Sequence, residues 1–329
     1  MKIVVTGGCG FIGSNFVELC LKKRKDVKII NVDSLTTGSN QKTLRGLKHP
    51  NYKFVKGNIC DKKLMEKLIE DAKIIINFAA ESHVDRSIAN STNFLKSNIQ
   101  GVHVILEILR KRKNVKFLQI STDEVYGEVL RGKANENRGI NPSNPYSATK
   151  ASAEMFIKSY ARTYDLDTII TRSSNNYGPR QFPEKLIPKA ILSALKNVSI
   201  PIHGNGSSKR QWIHVFDNCD AILKIIDNWK SGSIYNIGGH YEDTNLNVVK
   251  KILKLIDKSD NLISFVKDRP GQDKRYAINS CLIENELGFI TKISFEKGLE
   301  STIQWYLKNK NWWQNLVFKK IKNPTPWLN

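Results

Sequence analysis

Apolar residues gather in short runs separated by longer stretches in which they recur every three or four positions. Lys2–Thr6, Val27–Val32, Tyr52–Lys56, Lys73–Phe78, Val115–Ile120 and Thr168–Thr171 are brief and mostly apolar or β-branched. That is the pattern of strands covered on both faces in a parallel sheet. Between them lie helical patterns at Ser14–Lys23, about Thr92–Lys111, and from Asn144 to about Tyr164. Strand and helix in alternation predict a doubly wound α/β fold. Beyond Thr171 the pattern changes, with Pro179, Pro183, Pro188 and Pro201 breaking the chain into shorter pieces. Helices are expected there at about Lys185–Lys196, Asp217–Trp229, Asn247–Ile256 and Phe295–Lys308. The expected division is a first domain over 1–178 and a smaller α/β region over 179–329 that packs against it, some segments returning to the first.

Composition narrows the class. With 329 residues, 40% of them hydrophobic and 6 Trp, the chain suits an ordinary folded protein. No apolar run approaches the roughly 18 residues that cross a bilayer, and the N-terminus runs into a strand without a signal-peptide layout. No membrane partner and a cytoplasmic location are expected. The 5 cysteines are scattered without a CxxC, which suits a reducing compartment and offers no metal site. His83, His203 and His214 lack ligand spacing, so no metal is expected. A net charge of +21 raises the question of nucleic acid. The basic clusters, Lys22–Lys25 and Lys111–Lys113 among them, are short and dispersed and fall mainly at helix ends, where cations suit the dipole. No nucleic-acid partner is expected; an anionic small molecule is the better use of the charge.

The chemistry begins at the first turn. Gly7, Gly10 and Gly13 lie between a strand and a helix, the layout that lets a backbone approach a pyrophosphate at a helix N-terminus. The next strand ends in Asp33, 20 residues beyond Gly13, where an acid accepts the ribose hydroxyls and repels a 2′-phosphate. The expected cofactor is therefore NAD rather than NADP.

Two further groups follow. Asp123 and Glu124 stand just past the end of a buried strand, where open α/β sheets bind ligands. An arbitrary pair there would be solvated loop acids, but in separated environments one can act as acid and the other as base. Tyr146 and Lys150 are one turn apart on one helix face, and an ammonium near a phenol lowers the phenol's pKa toward a usable base. Standing alone they would be a packed Tyr and a solvated Lys. In the second region Lys185, Arg210, Arg269, Lys274 and Arg275 collect near turns and suit a diphosphate. Trp305, Trp312 and Trp313 read as packing, and no GxSxG marks a hydrolase elbow.

These motifs resemble the extended short-chain dehydrogenase/reductase superfamily and, within it, the nucleoside-diphosphate-glucose 4,6-dehydratases. The likeness rests on TGGCGFIG at Thr6–Gly13, AAESHVDRS at Ala79–Ser87, STDEVYG at Ser121–Gly127, NPYSATK at Asn144–Lys150, SNNYGPRQFPEKLIP at Ser174–Pro188 and DRPGQDKRY at Asp268–Tyr276. The adjacent Thr-Asp-Glu is the specific part, since sugar-nucleotide epimerases share the glycine turn and YxxxK without it. The resemblance implies a Rossmann-type fold and conversion of dTDP- or UDP-glucose to the 4-keto-6-deoxy sugar for rhamnose-type deoxysugar biosynthesis. A nucleotide-sugar 4-epimerase and a non-catalytic NAD-binding scaffold are the alternatives. It implies that Thr122, Asp123, Glu124, Tyr146 and Lys150 are catalytic. Cofactor contacts would fall at Gly7, Gly10, Phe11, Ile12, Gly13, Asp33, Ser34, Leu35, Thr36, Asn58, Ile59, Phe78, Ala79, Ala80, Glu81, Ser82, Ser97, Tyr146, Lys150 and Asn176. Substrate contacts would fall at Ser87, Thr122, Asn175, Lys185, Leu186, Pro201, His203, Arg210, Asn245, Arg269 and Gln272. A homodimer is implied, with helices such as Thr92–Lys111 and Ala151–Tyr164 pairing between subunits. Asn58 where the family often has Asp, Gln272 for a frequent His and His203 for a frequent Tyr leave the nucleotide open.

Overall fold

The computed structural model describes residues 1–44, 47–320 and 325–328. Seven parallel strands build the main sheet: β1 (Lys2–Thr6), β2 (Lys28–Asp33), β3 (Tyr52–Lys56), β4 (Ile74–Asn77), β5 (Lys116–Thr122), β6 (Thr168–Ser173) and, out of sequence, Ile234–Ile237. Their order across the sheet, starting from Ile234–Ile237, is β6, β5, β4, β1, β2, β3. The order reverses direction on either side of β1, and the crevice above that point is where such sheets take ligands.

Alternate residues of one strand serve opposite layers. Ile3 and Val5 join the core beneath α1 (Phe11–Lys23), whereas Val4 joins the core on the other face. That other face is covered by α2 (Lys62–Ile69), by a long helix and by α6 (Pro145–Tyr164). Short α3 (Val84–Ala89) precedes the long helix, which comprises α4 (Thr92–Phe94), a π-helical stretch over Leu95–Gln100 and α5 (Gly101–Leu109). The helix α2 was not expected from the pattern; Asp61 caps it by accepting from Leu64 N.

The remaining elements are β7 (Asn175–Tyr177), α7 (Leu186–Leu195), β8 (Ile200–His203), β9 (Lys209–His214), α8 (Val215–Asp227), β10 (the Ile234–Ile237 strand), β11 (Tyr241–Thr244), α9 (Asn245–Leu255), β12 (Ile263–Val266), α10 (Cys281–Leu287), α11 (Phe295–Lys308) and α12 (Lys310–Lys320). They form a three-stranded sheet, β11-β9-β7, and a parallel pair, β12-β8, around a third core that includes Trp212, Ile252 and Tyr306. Residue 178 divides the chain but not the layers. Strand β10 pairs with β6, and α8 and α10 pack in the same core as α1. Trp313 is buried and donates to Tyr306 O, and Trp312 donates to Thr43 Oγ1, so both serve packing.

Candidate active site

Two cavities open along the C-terminal ends of the strands and share Tyr146, Ser121 and Lys185 in their walls. The first turn shapes the long one. A Cβ on Gly13 would lie 2.5 Å from Gly7 O and 2.9 Å from Gly8 Cα, so the first turn of α1 needs a glycine there to sit this close to the preceding loop. The first turn of α1 carries no acid, which leaves its N–H groups for a phosphate. Asp33 closes β2 and accepts from Cys9 N at 2.9 Å and Leu35 N at 2.8 Å, with its carboxyl pushed up by burial. The cavity is lined by Gly7, Gly10, Phe11, Ile12, Gly13, Asp33, Ser34, Thr36, Asn58, Ile59, Phe78, Ala79, Ala80, Glu81, Ser82, Ser97, Tyr146 and Lys150. Leu35 and Asn176, also expected there, do not line it; Asn176 faces the neighbouring cavity. The narrow glycine turn, the acid at the end of β2 and the small residues Ala79 and Ala80 fit an NAD dinucleotide.

The second cavity gathers Thr122, Asn175, Lys185, Leu186, Pro201, His203, Arg210, Asn245, Arg269 and Gln272. Ser87 is buried beneath it instead: its hydroxyl accepts from Tyr146 N at 3.1 Å and donates to Val84 O. Several lining residues were not singled out from the sequence. Asn144, Asp85 and Tyr276 stand inside the quoted motifs, while Trp212 carried no sequence signal.

Local structure aims the reacting groups. Strand β5 ends at Thr122, whose hydroxyl caps the tight turn Asp123–Tyr126 by accepting from Glu124 N. Gly127 ends that turn at φ +67°, where any Cβ would meet Asn141 O at 2.0 Å. Helix α6 opens with Pro145 behind a reciprocal Asn144–Ser147 cap. The same Asn144 donates to Glu124 Oε2 at 3.4 Å, which ties the acid turn to the helix bearing Tyr146 and Lys150. Asn98, in the π-helical stretch, accepts from Glu81 N and donates to Thr149 Oγ1.

The two acids occupy different surroundings. Asp123 is buried, its Oδ2 has no hydrogen-bond partner, and burial together with the Glu124 charge pushes it up to about 8. Glu124 is also raised by burial, but Arg210, Lys185, Arg269 and the Asn144 amide draw it back. At neutral pH the environment therefore favours a protonated Asp123 beside a Glu124 that cations help to ionise. Tyr146 differs from the sequence expectation. Burial pushes its phenol up, the Glu124 and Asp123 charges add to the rise, and only its hydrogen bond with Thr122 opposes them. Lys150 donates to Ile120 O at 2.6 Å and is itself pushed down to about 8 by burial. The expected lowering of the phenol thus needs positive charge beyond what Lys150 supplies.

At the far end, Asp85 meets the Arg269 guanidinium, Nη1 at 3.2 Å, and two imidazoles that burial holds toward the neutral form, His203 Nε2 at 3.7 Å and His83 Nδ1 at 3.9 Å. Lys185 and Lys189 border the same space.

A glycine-turn dinucleotide cleft that meets a Tyr/Lys helix at the strand ends defines an extended short-chain dehydrogenase/reductase. Residues 4–302 match the model of the GDP-mannose 4,6 dehydratase family, and the chain belongs to that family. It is 41% identical to the dTDP-glucose 4,6-dehydratase of Escherichia coli, with 96% of each chain covered. It is 47% identical to the low-salt glycan biosynthesis protein Agl12 of Haloferax volcanii, over 93% of this chain and 99% of that one. The crystal structure of the dTDP-glucose 4,6-dehydratase DesIV from Streptomyces venezuelae superposes with a TM-score of 0.94 at 39% identity, over 96% of this chain and 100% of that one.

Proposed function

We propose that the protein is an NAD-dependent hydro-lyase, a dTDP-glucose 4,6-dehydratase that removes water from the nucleotide sugar to leave the 4-keto-6-deoxy product for deoxysugar biosynthesis. The observation that carries this is the acid pair at the end of β5, Asp123 buried and Glu124 half-buried, facing the same cavity as Tyr146. An epimerase, which only inverts C4, has no use for an acid held neutral there.

The glycine turn, Asp33, Asn58 and Ala79–Ser82 would hold the cofactor, and NAD bound there would supply a hydride acceptor for C4 and, once reduced, a donor for C6 as a proton returns to C5. Tyr146 takes the proton of the 4-hydroxyl, with Thr122 bonded to the same oxygen and Lys150 supporting the helix face. A 4-ketone makes the C5 proton acidic, and Glu124 removes it. Asp123, neutral at physiological pH, hands its proton to the departing 6-hydroxyl, so that water leaves rather than hydroxide. Arg269, Lys185 and Arg210 hold the diphosphate, with His203 and Gln272 toward the nucleoside.

Among the described residues no helix is long and apolar enough to cross a membrane; a cytoplasmic location is part of this reading. Exposed Leu95, Met155 and Phe156 on adjoining helices support a homodimer built across that face. Incubation with dTDP-glucose and UDP-glucose side by side, followed by mass analysis, tests the reading. Loss of one water from the dTDP sugar is expected. Inversion at C4 without water loss refutes it, and faster conversion of the UDP sugar corrects the nucleotide.

A further inference from the structure

Behind the acid turn, away from both cavities, lies a fully buried ion pair that the chemistry above leaves without a task. Glu154 and Arg172 are 0% and 1% exposed. The guanidinium binds the carboxylate through Nε, at 3.2 Å and 3.1 Å from the two oxygens, and through Nη2 at 2.6 Å. A buried ion pair commonly stabilises a fold no better than an apolar pair of the same volume, so its position rather than its strength invites explanation.

That position brackets the reacting acids. Glu154 stands one turn beyond Lys150 and two beyond Tyr146 on α6, on the same face. Its Oε1 also accepts from Ser121 Oγ at 2.5 Å, and Lys150 Nζ holds the carbonyl of Ile120 just before it. Two consecutive residues leading into Thr122 are thus gripped by side chains of the helix that carries Tyr146. The other end of the turn is gripped by Arg172. Its Nη1 donates to Tyr126 OH at 2.7 Å, and its guanidinium stacks 4.6 Å from that ring's centroid. Tyr126 OH in turn donates to Asn236 Oδ1 at 2.9 Å. The Asn236 amide then donates to Ala134 O and Asn279 O, which anchors the network in β10. Tyr126, Glu154 and Arg172 border neither cavity.

We propose that Glu154, Arg172 and Tyr126 are positioning residues for the elimination step, holding the turn that carries Asp123 and Glu124 in register with Tyr146 on α6. The oxidation at C4 depends on Tyr146 and the glycine-turn cleft; Tyr126 and Arg172 touch neither, and Glu154 reaches them only through Ser121 and through the charge it sets near Lys150. Elimination requires two acids to reach two atoms of one sugar at once, and misplacement by about 1 Å is worth on the order of a hundredfold in rate. The network therefore bears on elimination more than on oxidation.

The deciding variant is Tyr126→Phe, which keeps the ring against Arg172 and deletes both hydroxyl bonds. Single turnovers of purified holoenzyme with dTDP-glucose follow reduced cofactor by absorbance and water loss by mass. Oxidation within about twofold of wild type is expected, with elimination slowed about tenfold, so that reduced cofactor accumulates where wild type shows little. A second variant replaces the pair together, Glu154→Met with Arg172→Met, leaving no stranded buried charge; oxidation slows as Lys150 loses the Glu154 charge, and elimination is expected to slow further. Equal loss of both steps, or no change in their ratio, overturns the proposal. The inference rests on the reaction assigned above, and the two fail separately. A wild type that releases no water refutes that assignment, whereas a working wild type beside variants with an unchanged ratio refutes only the positioning role.

Discussion

Raising the pH from about 7 to about 9 should stall the protein midway through its reaction. The perturbation is the titration of Asp123, whose carboxyl burial and the Glu124 charge push up to about 8. A group with that value is about nine-tenths protonated at pH 7 and about one-tenth at pH 9. Asp123 serves as the acid, so its protonated form is the active one, and elimination should fall about tenfold over the interval. An aspartate at the ordinary value of about 3.9 would already be ionised at neutrality and show no fall there. On the acid side the sign reverses: Glu124 works as the base, so its raised value predicts slower elimination as it becomes protonated. Lys150, pushed down to about 8 by burial, loses its charge over the same alkaline interval. Overall turnover therefore mixes two titrations, and separate observation of the steps resolves them. Rapid-mixing absorbance of reduced cofactor reports oxidation, and quenched mass analysis reports water loss. If Asp123 governs, reduced cofactor builds up as the pH rises; if Lys150 governs, oxidation slows and none builds up. Asp123→Asn should show a slow, pH-independent residual elimination. A wild-type water-loss step that stays constant between pH 7 and 9 would refute the assignment of Asp123 as a neutral acid.

Three other perturbations probe other parts of the site. Asp33→Ala removes the carboxylate at the end of β2 and should shift the NADP-to-NAD affinity ratio on the order of a hundredfold toward NADP; titration calorimetry with both cofactors checks it, and an unmoved ratio counts against the role. Asp85→Asn removes the carboxylate that positions the Arg269 guanidinium, so KM for the nucleotide sugar should rise about tenfold with kcat within about twofold; steady-state kinetics showing the opposite split would disprove the diphosphate assignment. Gly13→Ala places a Cβ 2.5 Å from Gly7 O, and NAD retention through purification should be lost; cofactor content by absorbance is the measure, and full retention would contradict the turn's role.

Local signals carried far into the fold because strands and helices are specified by neighbours. The strand Lys2–Thr6 and the helix Phe295–Lys308 have the bounds their patterns predict. Likewise, adjacent Asp123 and Glu124 past a buried strand, and Tyr146 and Lys150 at helical spacing, were legible as residues of interest before any partner was known. The helix Lys62–Ile69 was missed although Asp61 caps it. One uniform helix was expected over about Thr92–Lys111, whereas a π-helical stretch between α4 and α5 turns Asn98 toward Glu81 and Thr149.

What the chain alone determined was therefore the alternation of buried strands with amphipathic helices, the glycine turn and the identity of the reacting side chains, since each depends on spacings of a few residues. Tertiary structure decided what surrounds them. Tyr126 meets Asn236 across 110 positions, Arg269 meets Asp85 from a distant loop, and Ile234–Ile237 returns to the edge of the first sheet. The charge states of Asp123, Tyr146 and Lys150 depend on how much water those distant segments exclude, and no local spacing encodes that exclusion.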